Sequence, residues 1–376
     1  MVTPPSLTSD LQAHVAQVIT DSGGWIGFDR FMALALYAPG LGYYVRGDSQ
    51  IGPGPGAAAA PASDFATAPV ISPLFGRALA VQVSEALRRS GTDTVWEFGA
   101  GTGAMAAQLL EALGDQVRHY VIVDLSGSLQ QRQRTTLARF ADKLAWATQL
   151  PETLRGVVVG NEVLDAMPVR MLVRTAGRWH ERGVVLAPHG QLGWGDRPTE
   201  LRPPVAIDGD HDYLTEIHPQ AEAFMGTLVD RLAQGAVFLI DYGFGEREYY
   251  HPQRSMGTVM CHQLHRADGN PLLDVGAKDI TAHVNFTGIA LAAQQAADEA
   301  GVAGHWHLLG YASQARFLLN CGLAGMMESA SLPERSMANK LLMEHEMGEL
   351  FKVIGFCRGT PWDAIGFVHG DRSHNL

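Results

Sequence analysis

The chain has 376 residues, of which 46% are hydrophobic and 18% are charged, and its formal net charge at pH 7 is −11. This composition is typical of a folded globular protein and excludes a disordered or fibrous one. The acidic balance argues against a nucleic-acid partner, which would require a basic stripe, and no apolar run approaches the roughly 20 residues that cross a bilayer, so we expect no membrane insertion.

Neither a targeting segment nor a metal site is predicted. Residues 1–21 contain no basic stretch followed by an apolar one and no Arg-rich amphipathic pattern, so we expect a cytoplasmic protein. Cys261, Cys321 and Cys357 are far apart and form no Cys-x-x-Cys pair. Their spacing predicts reduced, buried thiols rather than a zinc site or a disulfide framework.

The first 90 residues are interpreted as a helical lid. An apolar stripe with helical spacing begins after Ser9, a second helix is predicted over residues 28–37, and a third over residues 73–89. Residues 51–63 are almost entirely Gly, Pro, Ala and Ser, a composition typical of a flexible loop.

From residue 91 onward the pattern alternates between short apolar strands and amphipathic helices. The predicted strands cover residues 94–98, 119–124, 144–147, 156–160 and 236–241. This alternation predicts right-handed βαβ units and a parallel sheet, which is an α/β fold. We therefore assign residues 91–376 to one core that carries additions.

Two insertions interrupt this core, at about residues 169–215 and 245–345. The first is β-rich, and we predict an antiparallel meander with strands over residues 171–175, 179–186 and 191–194. In the second we predict helices over residues 286–299, 313–320 and 337–350, followed by a final strand over residues 351–358.

A glycine loop joins the first core strand to its helix. Gly99, Gly101 and Gly103 alternate directly after the strand, and Glu97 lies just before them. Glycine permits a positive φ and a close approach of backbone to ligand, and the following helix offers unpaired N–H groups. The loop fits a nucleotide, a methyl donor with an adenosyl group, or a tight turn without ligand.

Two acidic side chains bear on these alternatives, and one of them distinguishes between the two ligand sites. Asp124 ends the second strand, where an acid binds ribose hydroxyls in a dinucleotide site and in a methyltransferase site alike. Glu97 favours the methyltransferase, because its carboxylate would repel a pyrophosphate but attract a sulfonium cation.

A second polar cluster follows the fourth strand. Asn161, Glu162 and Asp165 fall within five residues and precede Pro168. Open α/β sheets bind ligands at the carboxyl ends of their strands, so we expect this cluster to lie beside the glycine loop. A helix-capping turn is the alternative interpretation.

With both motifs placed, the chain resembles the MidA family of methyltransferases, which includes the mitochondrial complex I assembly factor that methylates an arginine of a respiratory-chain subunit. The resemblance covers nearly the whole chain. Its marks are the segments at 31–39, 42–44, 64–69, 71–76, 97–103, 161–168, 240–243, 279–286 and 347–353.

The resemblance implies a fold and a cofactor. The fold is a class I methyltransferase Rossmann-like sheet of seven strands whose last strand runs antiparallel. The cofactor is S-adenosyl-L-methionine, enclosed in part by the N-terminal segment around Thr67 and Pro69. We also assign Leu125, directly after the ribose acid Asp124, to the cofactor site, and Trp146 either to a cover over the adenine or to core packing.

Four residues are candidates for catalysis. Carboxylates match the rigid donor fork of a guanidinium, so Glu162 and Asp165 are predicted to orient the acceptor, with Asn161 helping to hold the cofactor. Asp241 either lines the acceptor pocket or caps a turn, and His283 is either an acceptor contact or a structural histidine.

The leading hypothesis is therefore a protein arginine methyltransferase, whose substrate is a partner protein such as a respiratory-chain subunit. A small-molecule methyltransferase, a non-catalytic assembly factor that binds S-adenosylmethionine, and a nicotinamide-dependent oxidoreductase are the alternatives.

Overall fold

A computed structural model describes residues 7–46, 67–124, 126–263 and 266–376. Its helices are α1 (Leu7–Asp21), α2 (Phe28–Tyr37), α3 (Ala68–Ile71), α4 (Pro73–Ser90), α5 (Ala104–Leu113), α6 (Gly127–Thr136), α7 (Pro219–Arg231), α8 (Glu246–Tyr249), α9 (Phe286–Glu299), α10 (Gln314–Asn320), α11 (Leu323–Ser329) and α12 (Leu332–Leu342). Its strands are β1 (Trp25–Gly27), β2 (Thr94–Phe98), β3 (His119–Val123), β4 (Leu144–Ala147), β5 (Leu154–Asn161), β6 (Arg170–Thr175), β7 (Arg178–Leu186), β8 (Leu192–Pro198), β9 (Tyr213–Ile217), β10 (Leu232–Phe244), β11 (Met260–Gln263), β12 (Arg266–Asp268), β13 (Asp279–Thr281), β14 (Val284–Asn285), β15 (Trp306–Ser313) and β16 (Phe351–Arg358).

The central sheet has the strand order β15-β16-β10-β5-β2-β3-β4, and β14 adds a short pairing to the end of β10. Strand β16 runs antiparallel to both of its neighbours, whereas the pairs among β10, β5, β2, β3 and β4 are parallel. The predicted seven-stranded sheet with an antiparallel last strand is thus confirmed. Strands β5 and β10 lie in its middle and are buried along most of their length, as expected for a sheet covered on both faces.

Helices cover both faces of this sheet. On one face, α4, α5, α10 and α12 contribute apolar side chains such as Leu79, Leu109 and Phe317 to a common core. On the other face, α7 and α9 pack through residues that include Met225 and Ile289. The carboxyl ends of the parallel strands are left open at one edge, which is where such sheets bind ligands.

A second, smaller layer combines the N-terminus with the insertions. Strands β1, β7, β6, β9 and β8 form a mostly antiparallel sheet, which contains the predicted meander. Helices α1 and α2 share a hydrophobic core with this sheet and with β11 and β13, through residues such as Phe31, Val184 and Ile280.

This packing differs from the predicted lid over residues 1–90. Helices α1 and α2 pack on the insertion sheet, whereas α3 and α4 pack on the central sheet, so the described helices of this region belong to two different cores. The Gly/Pro/Ala/Ser loop predicted for residues 51–63 lies outside the described residues.

The predicted insertion over residues 245–345 is too long, because β15 is a strand of the central sheet. Its register shifts between Leu308 and Gly310, which interrupts the regular alternation of buried and exposed side chains. The helix predicted for residues 337–350 instead spans Leu332–Leu342, where Ser331 and Glu334 form a capping box that the prediction overlooked.

All three cysteines are buried and free of disulfides. Within the described ranges, no group of three or more His, Cys, Asp or Glu side chains is arranged so that it could hold a metal ion. No helix in that part of the chain has the length and apolar character to cross a membrane.

Candidate active site

Two adjoining cavities lie at the carboxyl edge of the central sheet. The larger has a volume of about 470 Å³ and the smaller about 50 Å³. Both are lined by Thr67, Gly99, Gly101 and Asn161. The N-terminal segment, the glycine loop and the polar cluster after β5 therefore meet at one place, although long stretches of chain separate them.

The glycine loop follows β2 in the centre of the sheet. Gly99, Gly101 and Gly103 have φ values of +64°, +51° and +82°, a region that side chains disfavour. A Cβ atom on Gly99 would lie 3.0 Å from Cγ2 of Val163, so this position also requires a close approach between two loops. Gly103 is the N-cap of α5 and packs against Leu137 rather than lining a cavity among the described residues.

Glu97 is buried beside this loop and lines the smaller cavity together with Pro69. The hydroxyl of Tyr120 donates a hydrogen bond to Glu97 Oε2 at 2.6 Å. Burial is the main cause that raises the pKa of Glu97 to about 8; the Tyr120 hydrogen bond opposes this shift, and the charge of Asp124 adds a smaller contribution to it. A cation bound in the cavity would favour the charged carboxylate.

Asp124 directly follows β3 and lines the larger cavity. Its carboxylate accepts hydrogen bonds at 2.8 Å from the backbone N–H of Ser126 and from Nε2 of Gln133. Burial raises the pKa of Asp124, against the effect of these two donors. Leu125, also predicted to bind the cofactor, lies outside the described residues.

Trp146 is not among the described residues that line either cavity. Its indole N–H donates to Gln133 Oε1 at 2.9 Å, and the guanidinium of Arg134 lies 3.9 Å from its ring centroid. Trp146 therefore supports Asp124 through Gln133, and the predicted cover over an adenine finds no support in its position. Thr148 and Leu150, which follow β4, line the larger cavity instead.

The polar cluster after β5 points into the larger cavity. Asn161, Glu162 and Asp165 all line it, and Asn161 Nδ2 donates to Glu162 Oε1 at 2.9 Å. Within the described part of the chain, Asn161 Oδ1, Glu162 Oε2 and Asp165 Oδ1 are buried without a hydrogen-bond partner. Buried acceptors are normally paired, so three orphaned oxygens in one cavity indicate a ligand that donates hydrogen bonds.

Burial also raises the pKa of both acids in this cluster. The pKa of Glu162 rises to about 8, with a further contribution from the charge of Asp165. Burial raises the pKa of Asp165 to about 6, while the hydroxyl of Tyr242 donates to its carboxylate and opposes the shift. Glu162 has a φ of +55°, which is rare for a residue other than glycine and is typical of functional loops.

Asp241 has a different role from the acceptor contact that was one of its two interpretations. Its Oδ2 accepts hydrogen bonds from the backbone N–H groups of Val163, Leu164 and Asp165, at 3.1, 2.9 and 3.2 Å. It is fully buried and is not among the described residues that line either cavity. Asp241 therefore caps the turn that carries the polar cluster.

His283 likewise lies away from the cavities described here. Its backbone carbonyl is 2.9 Å from His218 Nε2, and its ring packs against Tyr242 and Phe244 with centroid distances of 5.2 and 5.3 Å. Burial lowers the pKa of His283 to about 4, with smaller contributions from Arg254 and Lys352. The predicted acceptor contact is therefore not supported by its position, and the structural interpretation fits.

Tyr37, Tyr44 and Asp279 are among the lining residues that were not predicted. Tyr37 comes from α2, Tyr44 from the turn after it, and Asp279 from the start of β13. The Tyr44 hydroxyl donates to Asp279 Oδ1 at 2.7 Å, and the Tyr37 hydroxyl donates to the carbonyl of Ala166 at 2.9 Å. These residues fall within the motifs that carry the family resemblance, which is the one signal that marked them.

The charges around the larger cavity have one sign. Four carboxylates line it, those of Asp124, Glu162, Asp165 and Asp279, and the described lining contains no Lys, Arg or His. Because buried carboxylates need a cation or several donors to remain charged, this cavity fits ligands that carry positive charge.

Comparison with known proteins agrees with this geometry. A family model described as S-adenosyl-L-methionine-dependent methyltransferase matches residues 77–305. The mitochondrial protein arginine methyltransferase NDUFAF7 of Danio rerio is 26% identical, over 91% of this chain and 84% of that protein. The Homo sapiens protein of the same name is also 26% identical, over 87% of this chain and 77% of that protein.

A solved structure covers the whole chain. A protein from Burkholderia thailandensis, crystallised with bound S-adenosyl-homocysteine, is 45% identical, with a TM-score of 0.90 and full coverage of both chains. A second crystal structure from the same organism, solved in its native state, is 44% identical with a TM-score of 0.87 over the same full length.

Proposed function

This chain belongs to the S-adenosyl-L-methionine-dependent methyltransferase family, and from that premise we propose that it methylates an arginine side chain of a partner protein. The relatives from Danio rerio and Homo sapiens carry the name protein arginine methyltransferase. The observation that carries the proposal for this chain is the acidic lining of the larger cavity, to which Glu162 and Asp165 contribute carboxylates.

The cofactor residues fit S-adenosylmethionine. Gly99 and Gly101 leave space for a close backbone approach, Asp124 presents a carboxylate suited to ribose hydroxyls, and Asn161 has a buried orphaned oxygen. Glu97 supplies negative charge where a methionine moiety with a cationic sulfur would bind. When bound, the cofactor supplies a methyl group on a sulfonium, which is the electrophile of the reaction.

The residues that would bind the acceptor have two tasks, which are to orient it and to accept the proton that it releases. Glu162 and Asp165 both line the cavity, and each has a buried oxygen without a partner among the described residues, so they can hold and orient the N–H groups of a guanidinium. Holding the acceptor nitrogen in one orientation contributes rate by itself, because methyl transfer requires an in-line approach. Methylation of a guanidinium releases a proton, and a carboxylate whose pKa is raised by burial is suited to accept it.

The proposal is tested by incubating the purified chain with S-adenosylmethionine labelled on the methyl group and a cell lysate, followed by mass spectrometry of every labelled band. We expect label in methylarginine of one or a few proteins, and no label with the Glu162→Gln/Asp165→Asn variant. Label on a different side chain, label confined to small molecules, or the absence of any labelled product would overturn the proposal.

A further inference from the structure

Gln133 is a buried amide that joins three parts of the cofactor site. It lies on α6 and is fully buried, which is unusual for a glutamine and requires specific hydrogen bonds. Its Nε2 donates to Asp124 Oδ2 at 2.8 Å and to the carbonyl of Gly101 at 3.1 Å, and its Oε1 accepts from the indole N–H of Trp146 at 2.9 Å. The side chain therefore connects the acid after β3 with the glycine loop and with β4.

The indole of Trp146 determines which way this amide points. An indole N–H can only donate, so the amide oxygen of Gln133 must face Trp146. The NH₂ group then faces the Asp124 carboxylate and the Gly101 carbonyl, both of which are acceptors. A reversed amide would set two acceptors against each other at Asp124 and two donors at Trp146. The observed orientation is therefore the one that satisfies all three partners.

The contact with Gln133 leaves Asp124 with acceptor capacity on both of its oxygens. In the described part of the chain, Oδ1 accepts from the backbone N–H of Ser126 and Oδ2 accepts from Gln133, at 2.8 Å each. An ionised carboxylate offers about four acceptor positions, so about two remain available to a ligand in the cavity that Asp124 lines. The two neighbouring hydroxyls of a ribose supply the donors that such a pair of positions fits.

The third glycine of the loop allows α6 to pack closely against α5. A Cβ atom on Gly103 would lie 3.3 Å from Cδ1 of Leu137 and 3.6 Å from Cα of Gln133. Gly103 lines neither cavity among the described residues, but as the N-cap of α5 it lies directly beneath α6. The position of Gln133 thus follows from the packing of two helices rather than from a loop.

We infer that Gln133 is a positioning residue, which orients the Asp124 carboxylate for the ribose hydroxyls of the cofactor and holds the glycine loop beside it at Gly101. Trp146 acts one step further away by fixing the amide of Gln133. The inference rests on the cofactor site of the proposed function and adds the residues that make this site selective for a ribose. Neither Gln133 nor Trp146 is among the described residues that line a cavity, so both act through Asp124 and Gly101.

The test compares S-adenosyl-homocysteine with its 2′-deoxyribose counterpart, each titrated into the full chain by isothermal titration calorimetry. A site built to bind a hydroxyl discriminates against the ligand that lacks it, so we expect the wild type to prefer the ribose form at least about tenfold. Gln133→Met has a similar length but no amide, and it should lose most of this preference. Trp146→Phe should lose part of it, because the amide is then free to rotate. A purely structural role would weaken the binding of both ligands alike and leave their ratio unchanged.

Gln131→Met and Trp96→Phe are the matched controls. Gln131 is exposed and precedes Gln133 on the same helix. Trp96 is half-buried like Trp146, and its indole N–H donates to the carbonyl of Arg155 at 3.0 Å. Both control variants should keep the wild-type ratio of affinities within about twofold.

The inference is overturned if Gln133→Met keeps the ribose preference, or if either control loses it as fully as Gln133→Met does. Thermal denaturation shows whether each variant is folded. If Gln133→Met does not fold, Trp146→Phe decides the question, and an unchanged ratio in that variant overturns the inference.

An Asp124→Asn variant separates this inference from the assignments on which it rests. Asp124→Asn should lose the ribose preference by itself, and Gln133→Met should add little to that loss in the double variant, because both act on one interaction. If the wild type binds both ligands alike, or if Asp124→Asn keeps the preference, the assignment of Asp124 to the ribose fails and the inference fails with it. If Asp124→Asn loses the preference and Gln133→Met keeps it, the inference alone fails. Arginine methylation is measured in the lysate experiment and does not enter these outcomes.

Discussion

Asp241 Oδ2 accepts a hydrogen bond from the backbone N–H of Leu164 at 2.9 Å, and thereby ties β10 to the turn after β5. The same oxygen accepts from the N–H groups on either side, and Oδ1 accepts from the N–H of Tyr242. The turn that presents Glu162 and Asp165 is therefore held by a side chain from the adjacent strand. Asp241 acts on the site through the backbone and is a positioning residue.

Replacement of Asp241 by Asn should destabilise the protein and misplace the polar cluster. An amide offers one acceptor oxygen, and its NH₂ group meets a backbone N–H instead of an acceptor. Because a buried donor or acceptor left without its partner costs about 1–3 kcal/mol, we expect the free energy of unfolding to fall by about 2 kcal/mol or more. Chemical denaturation measures this change, and the methyl-transfer rate should fall with it.

Asp142→Asn is the control for this substitution, because Asp142 is exposed. An exposed Asp to Asn change away from any cap should alter the free energy of unfolding by less than about 0.5 kcal/mol. An Asp241→Asn variant as stable as that control would refute the positioning role.

Unlike Asp241→Asn, the double variant Glu162→Gln/Asp165→Asn should lose activity without losing stability. Both carboxylates are buried close together, and burial raises the pKa of each, so the charged pair costs folding free energy. We expect the free energy of unfolding to stay equal or to rise, while methyl transfer falls by at least about a hundredfold. Thermal denaturation and a labelled-methyl assay measure the two effects.

The matched control for that pair is Glu152→Gln/Asp142→Asn, which makes the same chemical changes at exposed positions. It should leave both stability and turnover near the wild-type values. Retained turnover in the Glu162→Gln/Asp165→Asn variant would reject the catalytic assignment.

The middle of the central sheet was predictable because its strands β5 and β10 are buried on both faces. Strands β5 and β10 are nearly continuous apolar runs, and a parallel order follows from their alternation with amphipathic helices. Strand β15 was missed because it is an edge strand, with a register shift at Leu308 and Gly310 that breaks the alternation. Local pattern does not identify such a strand, since its pairing with β16 decides its structure.

The candidate site likewise has parts that the sequence predicts and parts that it does not. The glycine loop and the cluster from Asn161 to Asp165 were predictable because each is local in sequence and follows a strand. The bond between Tyr44 and Asp279 joins residues that are 235 positions apart, so no spacing rule relates them. The capping role of Asp241 depends on backbone N–H groups, whose positions become defined only when β10 and β5 pair.

Replacing Gly99 by alanine tests whether the glycine loop binds the cofactor, and the same replacement at Gly91 is the control. Gly99 and Gly91 have similar φ values of +64° and +61°, so an alanine at either position carries a similar backbone strain of about 1 kcal/mol. A Cβ on Gly99 would meet Val163 at 3.0 Å and border both cavities, whereas a Cβ on Gly91 would have nothing within 4 Å. We expect Gly99→Ala to weaken binding of S-adenosyl-homocysteine at least tenfold and Gly91→Ala to leave it within twofold.

Isothermal titration calorimetry measures both affinities, and thermal denaturation confirms that the strain is shared. Equal affinities for the two variants would show that the glycine at position 99 serves the turn alone. In that case the space beside Val163 would have no part in cofactor binding.

Glu97 should make cofactor affinity depend on pH. In the ligand-free protein, burial raises the pKa of Glu97 to about 8, so this side chain is largely protonated at pH 6. A cationic ligand favours the carboxylate, so binding releases a proton below pH 8. Affinity for S-adenosylmethionine should therefore rise with pH between 6 and 8, by up to about tenfold per pH unit, and level off above pH 8.

The Glu97→Gln variant should lack this contribution, and the Glu162→Gln variant should keep it. Because the ligand's own amino group also titrates, the measured quantity is the difference in proton release between wild type and variant, obtained by calorimetry in buffers of different ionisation enthalpy. Equal proton release by the wild type and the Glu97→Gln variant would contradict the assignment of Glu97 to the cationic end of the cofactor.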